Sequence, residues 1–152
     1  MLNPDYNDIL SAFNAEGVEY LVVGAYALAA HGLPRATGDI DVWVRPSPDN
    51  GARVWRALAR FGAPMDELRP DDFAIPGTIF QIGVVPRRID VITSIDGVEF
   101  DEAWPRRLVV NLAGVDLPVI GRADLIVNKR ASGRPQDLVD LDRLTRSGDQ
   151  EG

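Results

Sequence analysis

The sequence predicts a single α/β (α+β) domain built from helices and β-strands. The chain has 152 residues, of which 45% are hydrophobic, so it can bury one substantial core. Helix and strand patterns alternate along it without a repeat or a linker-like stretch, which favours one domain. The segment 22–44 has the pattern of an apolar strand, a glycine turn, a small-residue helix and a second apolar strand.

Helix signals in the N-terminal half come from a cap residue followed by proline. Asn3-Pro4 and Ser47-Pro48 both place a side-chain cap before a proline at the first helical position. Gly17 and Gly62 are the expected ends of these two helices. The predicted elements of this half are a helix at 4–16, a buried strand at 18–23, a helix at 25–30, a strand at 39–45 and a helix at 48–61.

The C-terminal half carries strand signals followed by two helices. Ala113-Gly114 lies between two apolar runs and predicts a hairpin, and the Gly-Arg-Pro sequence at 133–135 separates the last two helices. The domain is expected to span 1–146, with a flexible tail at 147–152. The predicted elements are a loop with one helical turn at 62–77, strands at 78–84, 87–93, 108–112 and 115–119, and helices at 100–104, 122–131 and 135–146.

Composition excludes several classes of function. Because the chain has no cysteine, it has neither a disulfide framework nor a zinc–thiolate site. The net charge of −7 disfavours a large duplex-DNA footprint, although pairs of basic residues remain available for a small anionic substrate or an RNA end. The sequence has no signal-peptide pattern and no membrane-spanning apolar run, so a cytoplasmic protein without a membrane partner is expected.

Two aspartates on the predicted strand at 39–45 form the strongest candidate for chemistry. The side chains of Asp39 and Asp41 point to the same face of the strand, because they are separated by one residue. Adjacent carboxylates repel each other when both are ionised, and a divalent cation relieves that repulsion. Mg²⁺ is commonly held by one or two carboxylates together with substrate phosphates. A Mg²⁺ or Mn²⁺ site for a phosphate-bearing substrate is therefore predicted.

A third carboxylate, Asp90, lies within an otherwise apolar strand pattern. A carboxylate in such a strand is costly unless it is paired or bound to metal. One interpretation is a salt bridge to Arg88, which lies on the same strand face. The other interpretation is a functional carboxylate. Asp96 is a weaker candidate, because Asp96-Gly97 is a typical turn sequence.

The glycine turn and the aspartate pair resemble the signature of a known superfamily. Gly24-Ala25 followed by Asp39-Ile40-Asp41 is similar to the signature of the nucleotidyltransferase superfamily, which has the polymerase-beta-like fold. The intervening Pro34-Arg35-Ala36-Thr37 makes the chain most similar to small bacterial minimal nucleotidyltransferases. Among these it resembles the AbiEii-type toxins of toxin–antitoxin systems.

The resemblance includes two departures from the usual motifs. Ala25 stands where most members of the superfamily have Gly or Ser, so a side-chain hydroxyl that contacts phosphate is lacking. The segment from Arg134 to Asp140 resembles the closing motif of the AbiEii-type relatives, but Gln136 replaces its lysine.

The resemblance implies a nucleotidyltransferase fold, in which helices flank a mixed β-sheet. It also implies a Mg²⁺-dependent enzyme that moves a nucleoside monophosphate from an NTP to an acceptor hydroxyl. The superfamily has a third catalytic carboxylate on a later strand, and Asp90 matches it by position. The implied catalytic residues are Asp39, Asp41 and Asp90, which would also hold two Mg²⁺ (or Mn²⁺) ions. The implied nucleotide- and phosphate-binding residues are Gly24, Ala25, Arg35, Thr37, Lys129 and Arg134.

Two other classes of function are compatible with the same residues. Ala25 and Gln136 also suit a catalytically inactive nucleotide- or protein-binding module, such as an antitoxin or a regulator. A small-molecule nucleotidyltransferase of the antibiotic-modifying kind is the third interpretation, because the acidic stretch 64–72 would attract a cationic acceptor. The motifs do not specify whether the acceptor is a tRNA end, a protein or a small molecule, or whether an antitoxin protein is a partner.

Overall fold

The computed structural model describes residues 4–33, 39–83, 88–112 and 114–151. Two short 3₁₀ turns, Pro70–Ala74 and Trp104–Arg106, accompany the helices and strands. The helices are α1 (Pro4–Ala15), α2 (Gly24–Ala30), α3 (Pro48–Phe61), α4 (Phe100–Ala103), α5 (Arg122–Ser132) and α6 (Pro135–Glu151). The strands are β1 (Tyr20–Val23), β2 (Ile40–Val44), β3 (Ile79–Ile82), β4 (Ile89–Ile92), β5 (Leu108–Leu112) and β6 (Val115–Val119).

The strands form one six-stranded sheet in the order β3-β4-β2-β1-β6-β5. Strand β2 runs parallel to β4, and β1 runs parallel to β6. The remaining neighbours pair antiparallel. This arrangement confirms the predicted mixed sheet, and it places the aspartate strand β2 between β1 and β4.

The predicted element boundaries hold with small shifts. Strand β2 begins at Ile40, so Asp39 lies just before the strand rather than within it. The loop at 62–77 contains the expected single turn, Pro70–Ala74. Helix α6 continues to Glu151, into the segment for which the sequence predicts a flexible tail. None of the described helices has the length and apolar character needed to cross a membrane.

Helix α3 illustrates how local sequence signals produce an element. The hydroxyl of Ser47 accepts a hydrogen bond from the backbone N–H of Asn50 at 3.2 Å, and Pro48 occupies the first turn. Gly62 ends the helix with a positive φ of 92°, which glycine adopts without steric cost. Asn50 itself is buried, and its side-chain amide bonds the backbone of Glu19 and Arg45. Helix α3 is thereby joined to the residues that flank β1 and β2.

The core lies on one face of β2 and β4, and the polar site lies on the other. Ile40 and Val42 are fully buried, as is Val91 on β4, because alternate side chains of a strand share a face. Asp41 and Asp90 occupy the intervening positions and are only partly buried. The alternation predicted from sequence thus directs both carboxylates away from the core.

Candidate active site

The pairing of β2 with β4 brings the predicted carboxylates together. Asp41 and Asp90 are directly opposite each other in the parallel register, and Asp39 lies just before Ile40 at the start of β2. All three side chains line one cavity of about 480 Å³. The other predicted site residues that line this cavity are Gly24, Ala25, Lys129 and Arg134. Arg35 and Thr37, the remaining predicted site residues, lie outside the described residues.

Asp41 is the carboxylate most strongly perturbed by this arrangement. Its pKa is raised from 3.8 to about 6. Burial is the largest cause, and the negative charges of Asp90 and Asp39 and a hydrogen bond with Asp90 act in the same direction. The positive charge of Arg88 acts in the opposite direction but does not offset these effects. The site therefore holds more negative charge than its own cations neutralise.

Arg88 provides the cation that these carboxylates share. Its Nε donates to Asp90 Oδ1 at 2.9 Å, and one Nη donates to Asp90 Oδ2 at 3.2 Å. The same Nη lies 3.4 Å from Asp39 Oδ2. The salt bridge expected as one interpretation of Asp90 is thus present, and it lies inside the cavity that the functional interpretation requires.

The donor set suits a hard divalent cation, because carboxylate oxygens are the ligands that Mg²⁺ and Mn²⁺ prefer. Across the described part of the chain, no three acidic or histidine side chains are already arranged to hold a metal ion. Arg88 lies between Asp39 and Asp90, where it satisfies oxygens that would otherwise bind a cation. Metal binding by all three carboxylates therefore requires Arg88 to move.

Gly24 is needed at the turn between β1 and α2 for two reasons. Its φ of +69° lies in the left-handed region that favours glycine. A Cβ atom at this position would also lie 2.3 Å from Asp41 Oδ2, well inside van der Waals contact. The glycine of the motif thus permits the backbone to approach the carboxylate closely.

The closing motif forms a buried ionic network between α5 and α6. Lys129 is 5% exposed, and its Nζ lies 3.1 Å from Asp137 Oδ1 and 3.2 Å from Asp140 Oδ2. Burial opposes ionisation of Asp137, but hydrogen bonds from Arg134, Ser132 and Lys129 outweigh it and hold the pKa of Asp137 well below its ordinary value. The ammonium predicted to contact phosphate therefore already has two carboxylate partners.

Two polar residues of the closing motif extend this network towards the cavity. The amide of Gln136 donates to Asp140 Oδ1 at 3.0 Å, where the usual lysine would bring a charge. Arg134 donates through Nε to Asp137 Oδ2 at 2.7 Å, and its side chain is 76% exposed. Because Arg134 is both exposed and part of the cavity wall, it is more accessible than Lys129, the other described cation predicted to bind phosphate.

Lys129→Met is expected to lower the free energy of unfolding by about 3–5 kcal/mol, because it leaves two buried carboxylates without their shared cation. Urea denaturation at neutral pH measures the loss. Arg130→Gln, a change at the exposed neighbouring position on the same helix, is the matched control and should have little effect. A loss below about 1 kcal/mol would show that the ammonium does not form the buried pair.

A second cavity, which the sequence did not indicate, adjoins the first. Its volume is about 350 Å³, and it extends past Ile92 towards the turn at Asp96 and the side of α5 at Asn128. Asp96, the weaker candidate carboxylate in the sequence, therefore lines a cavity next to the three carboxylates. No local pattern marks these residues, because they come from separate elements that meet only in the folded chain.

Comparison with solved structures finds a similar fold in other proteins. The alignment with a Thermotoga maritima protein assigned as a nucleotidyltransferase covers 99% of this chain and 93% of that one, at 16% identity and a TM-score of 0.56. The alignment with the antibiotic-resistance factor ANT(2'')-Ia, solved in complex with adenylyl-2''-tobramycin, covers 97% of this chain and 87% of that one, at 18% identity and a TM-score of 0.62. A nucleotidyltransferase-like antigen of Paracoccidioides brasiliensis aligns over 92% and 74%, at 12% identity and a TM-score of 0.52.

The chain has the nucleotidyltransferase fold. No protein-family model and no curated protein sequence matches it, so the similarity is carried by structure. The fold class predicted from the sequence is thereby confirmed. Within this nucleotidyltransferase fold, the three carboxylates share the cavity with the glycine turn and with the residues of the closing motif.

Proposed function

We propose that the protein is a Mg²⁺-dependent nucleotidyltransferase that moves a nucleoside monophosphate from an NTP to an acceptor hydroxyl. The observation that carries the proposal is the register of Asp41 with Asp90, with Asp39 alongside, in a cavity that lacks enough positive charge. A carboxylate whose pKa is raised to about 6 by burial and by other carboxylates is a strong candidate ligand for a cation. The nucleotidyltransferase fold of the chain supports the same reaction class.

In this proposal each group in the cavity has a distinct task. Asp39 and Asp41 hold Mg²⁺ (or Mn²⁺), which when bound supplies positive charge to the triphosphate and to the departing pyrophosphate. Gly24 and Ala25 present backbone to the phosphates, and Arg134 and Lys129, which line the same cavity, add positive charge. Catalysis then depends mainly on positioning and on charge.

Asp90 is proposed to orient the acceptor hydroxyl and to accept its proton. The acceptor oxygen forms a bond to the α-phosphorus, the bond from that phosphorus to the bridging oxygen breaks, and pyrophosphate leaves. Arg88 pairs with Asp90 and Asp39 in the free protein. In the substrate complex, Arg88 would have to release part of these contacts before Asp90 can reach the acceptor.

A small cationic acceptor is the favoured substrate among the alternatives. Asp66 and Glu67 lie with Phe80 around a cavity of about 450 Å³, so the acidic stretch identified in the sequence borders a concave surface. ANT(2'')-Ia, which shares the fold, was solved with an adenylylated aminoglycoside. A toxin of the AbiEii type, with an antitoxin partner and a tRNA or protein acceptor, is supported by the sequence motifs alone.

Labelled nucleotide transfer tests the proposal. The purified protein, Mg²⁺ and each α-³²P-labelled NTP are incubated with an aminoglycoside, with tRNA or with the protein alone, and pyrophosphate release is measured in parallel. Transfer is expected with the parent. Asp39→Asn should abolish it, because one of the two carboxylates proposed to hold the metal ion is lost. Asp8→Asn, an exposed change on α1, should transfer as the parent does.

The outcomes of this assay separate the functional classes. If the protein binds triphosphate in a metal-dependent way but releases no pyrophosphate with any of the acceptors, it is a nucleotide-binding module and not an enzyme. Absence of metal-dependent triphosphate binding would overturn the proposal altogether. Transfer to the aminoglycoside but not to tRNA would support the cationic acceptor, and the reverse would support the toxin-type acceptor.

A further inference from the structure

The second cavity is continuous with the proposed phosphate site. Both cavities are lined by Gly24, Asp41, Lys129 and Arg134, so they form the two ends of one cleft. The 350 Å³ end lacks Asp39 and Asp90, the latter being the residue proposed to hold the acceptor. A molecule with its phosphates at the shared residues would therefore place its other end in the smaller cavity, away from the acceptor.

Three isoleucines make one wall of the smaller cavity apolar. Ile79 on β3 pairs directly with Ile92 on β4, and Ile95 follows them along the chain. Ile79 is 65% exposed, so its apolar side chain is accessible to a ligand in this cavity. A row of branched apolar side chains on a sheet suits a planar ring, and the volume exceeds the lower limit of about 300 Å³ for small-molecule sites.

The polar side of this cavity presents hydrogen-bond acceptors. The amide nitrogen of Asn128 donates to the backbone carbonyl of Asp96 at 2.9 Å. A carbonyl cannot donate, so this bond determines which way the amide is turned and leaves Asn128 Oδ1 as the group that can accept from a ligand. The carboxylate of Asp96 lines the same cavity and also accepts.

The turn that carries Asp96 is held firmly against α5. Gly97 has a φ of +80°, and a Cβ atom there would lie 2.6 Å from the Cβ of Ala131. A bridge between Ile95 and Val98 closes the same turn. The acceptor atoms are therefore positioned by packed backbone, which is the condition for selecting one ligand over another.

From these contacts we propose that the smaller cavity binds the base of the NTP and selects a purine with an exocyclic amino group, such as adenine. The apolar wall packs on the ring, and Asn128 Oδ1 accepts a hydrogen bond from the amino group. A base with a carbonyl at that position, such as hypoxanthine, would place two acceptors against each other. This inference rests on the proposed function, because it assumes that the triphosphate lies at the shared residues.

Binding of ATP, ITP and tripolyphosphate, each with Mg²⁺, tests the inference by isothermal titration calorimetry without any transfer reaction. In ITP a carbonyl replaces the amino group of adenine and N1 carries a hydrogen, whereas tripolyphosphate has no base. The parent is expected to bind ATP at least tenfold more tightly than ITP. Asn128→Leu should bring the two affinities together and leave tripolyphosphate binding unchanged. Asn111→Leu, on the distant strand β5, is the matched control and should keep the preference.

Each outcome decides the inference. Equal affinities of the parent for ATP and ITP would overturn the inference about the base. Metal-dependent binding of both triphosphates would still support the proposed function in that case. A preference for ATP that survives in Asn128→Leu would remove Asn128 from base recognition and overturn the inference as well. Failure of all three ligands to bind would refute both proposals. The ATP and ITP comparison on the parent decides the question even if the variant does not fold.

Discussion

Asp90→Asn is expected to reduce the rate of nucleotidyl transfer by about a thousandfold and to leave triphosphate binding close to that of the parent. Asp90 lies on β4 and pairs in register with Asp41 on β2, and its proposed task concerns the acceptor rather than the triphosphate. A thousandfold loss corresponds to roughly 4 kcal/mol of transition-state stabilisation, a plausible size for a lost base that also orients the nucleophile.

The Arg88 salt bridge adds a second expected effect of Asp90→Asn. Because Arg88 bonds both oxygens of Asp90, the neutral amide should also lower the thermal midpoint. Single-turnover transfer and the melting midpoint are therefore measured on the same preparation, and the rate is expressed per folded molecule. Asp8→Asn controls for loss of a surface charge. A lowered midpoint with near-parental transfer would show that Asp90 is a structural ion-pair partner and would exclude it from catalysis.

Asp41→Asn is expected to abolish Mg²⁺-dependent nucleotide binding and, at the same time, to stabilise the fold at neutral pH. The pKa of Asp41 is raised from 3.8 to about 6, so the folded state favours the neutral carboxyl group. The stability associated with that neutral form is fully present below pH 3.8 and is lost as the pH rises through about 6. At about 1.4 kcal/mol for each pKa unit, the parent loses up to roughly 3 kcal/mol over this range. An asparagine keeps the neutral form at every pH.

Urea denaturation of the parent and of Asp41→Asn from pH 4 to pH 8, in the presence of a chelator, measures this effect. The two free energies of unfolding should be similar at pH 4, and the variant should be the more stable at pH 8. Calorimetric titration of Mg²⁺ and ATP on the same proteins should show binding only with the parent. A variant that is less stable at pH 8, or that binds Mg²⁺-ATP as the parent does, would contradict the assignment of Asp41 as a destabilised metal ligand.

Local sequence determined the elements and the candidate residues. The cap at Ser47, the turn at Gly24 and the alternation around Asp41 each depend on the few residues beside them, and all three appear in the structure where the sequence predicted them. The helices and strands follow from the same short-range signals, whereas the mixed sheet was implied by the resemblance to nucleotidyltransferases. Even the Arg88–Asp90 bridge is a local contact, since both side chains lie on one face of the same strand segment.

Contacts between distant segments determined the surroundings of these residues. The register of β2 with β4 places Asp41 opposite Asp90, and no short-range pattern specifies that pairing. Lys129 was predicted as a phosphate ligand, but the packing of α5 on α6 buries it between two aspartates. The cavity beside Asn128 likewise arises where strand, turn and helix converge. Burial and partner charge depend on every element that packs around a group, so pKa values and cavities emerge only once the chain has folded.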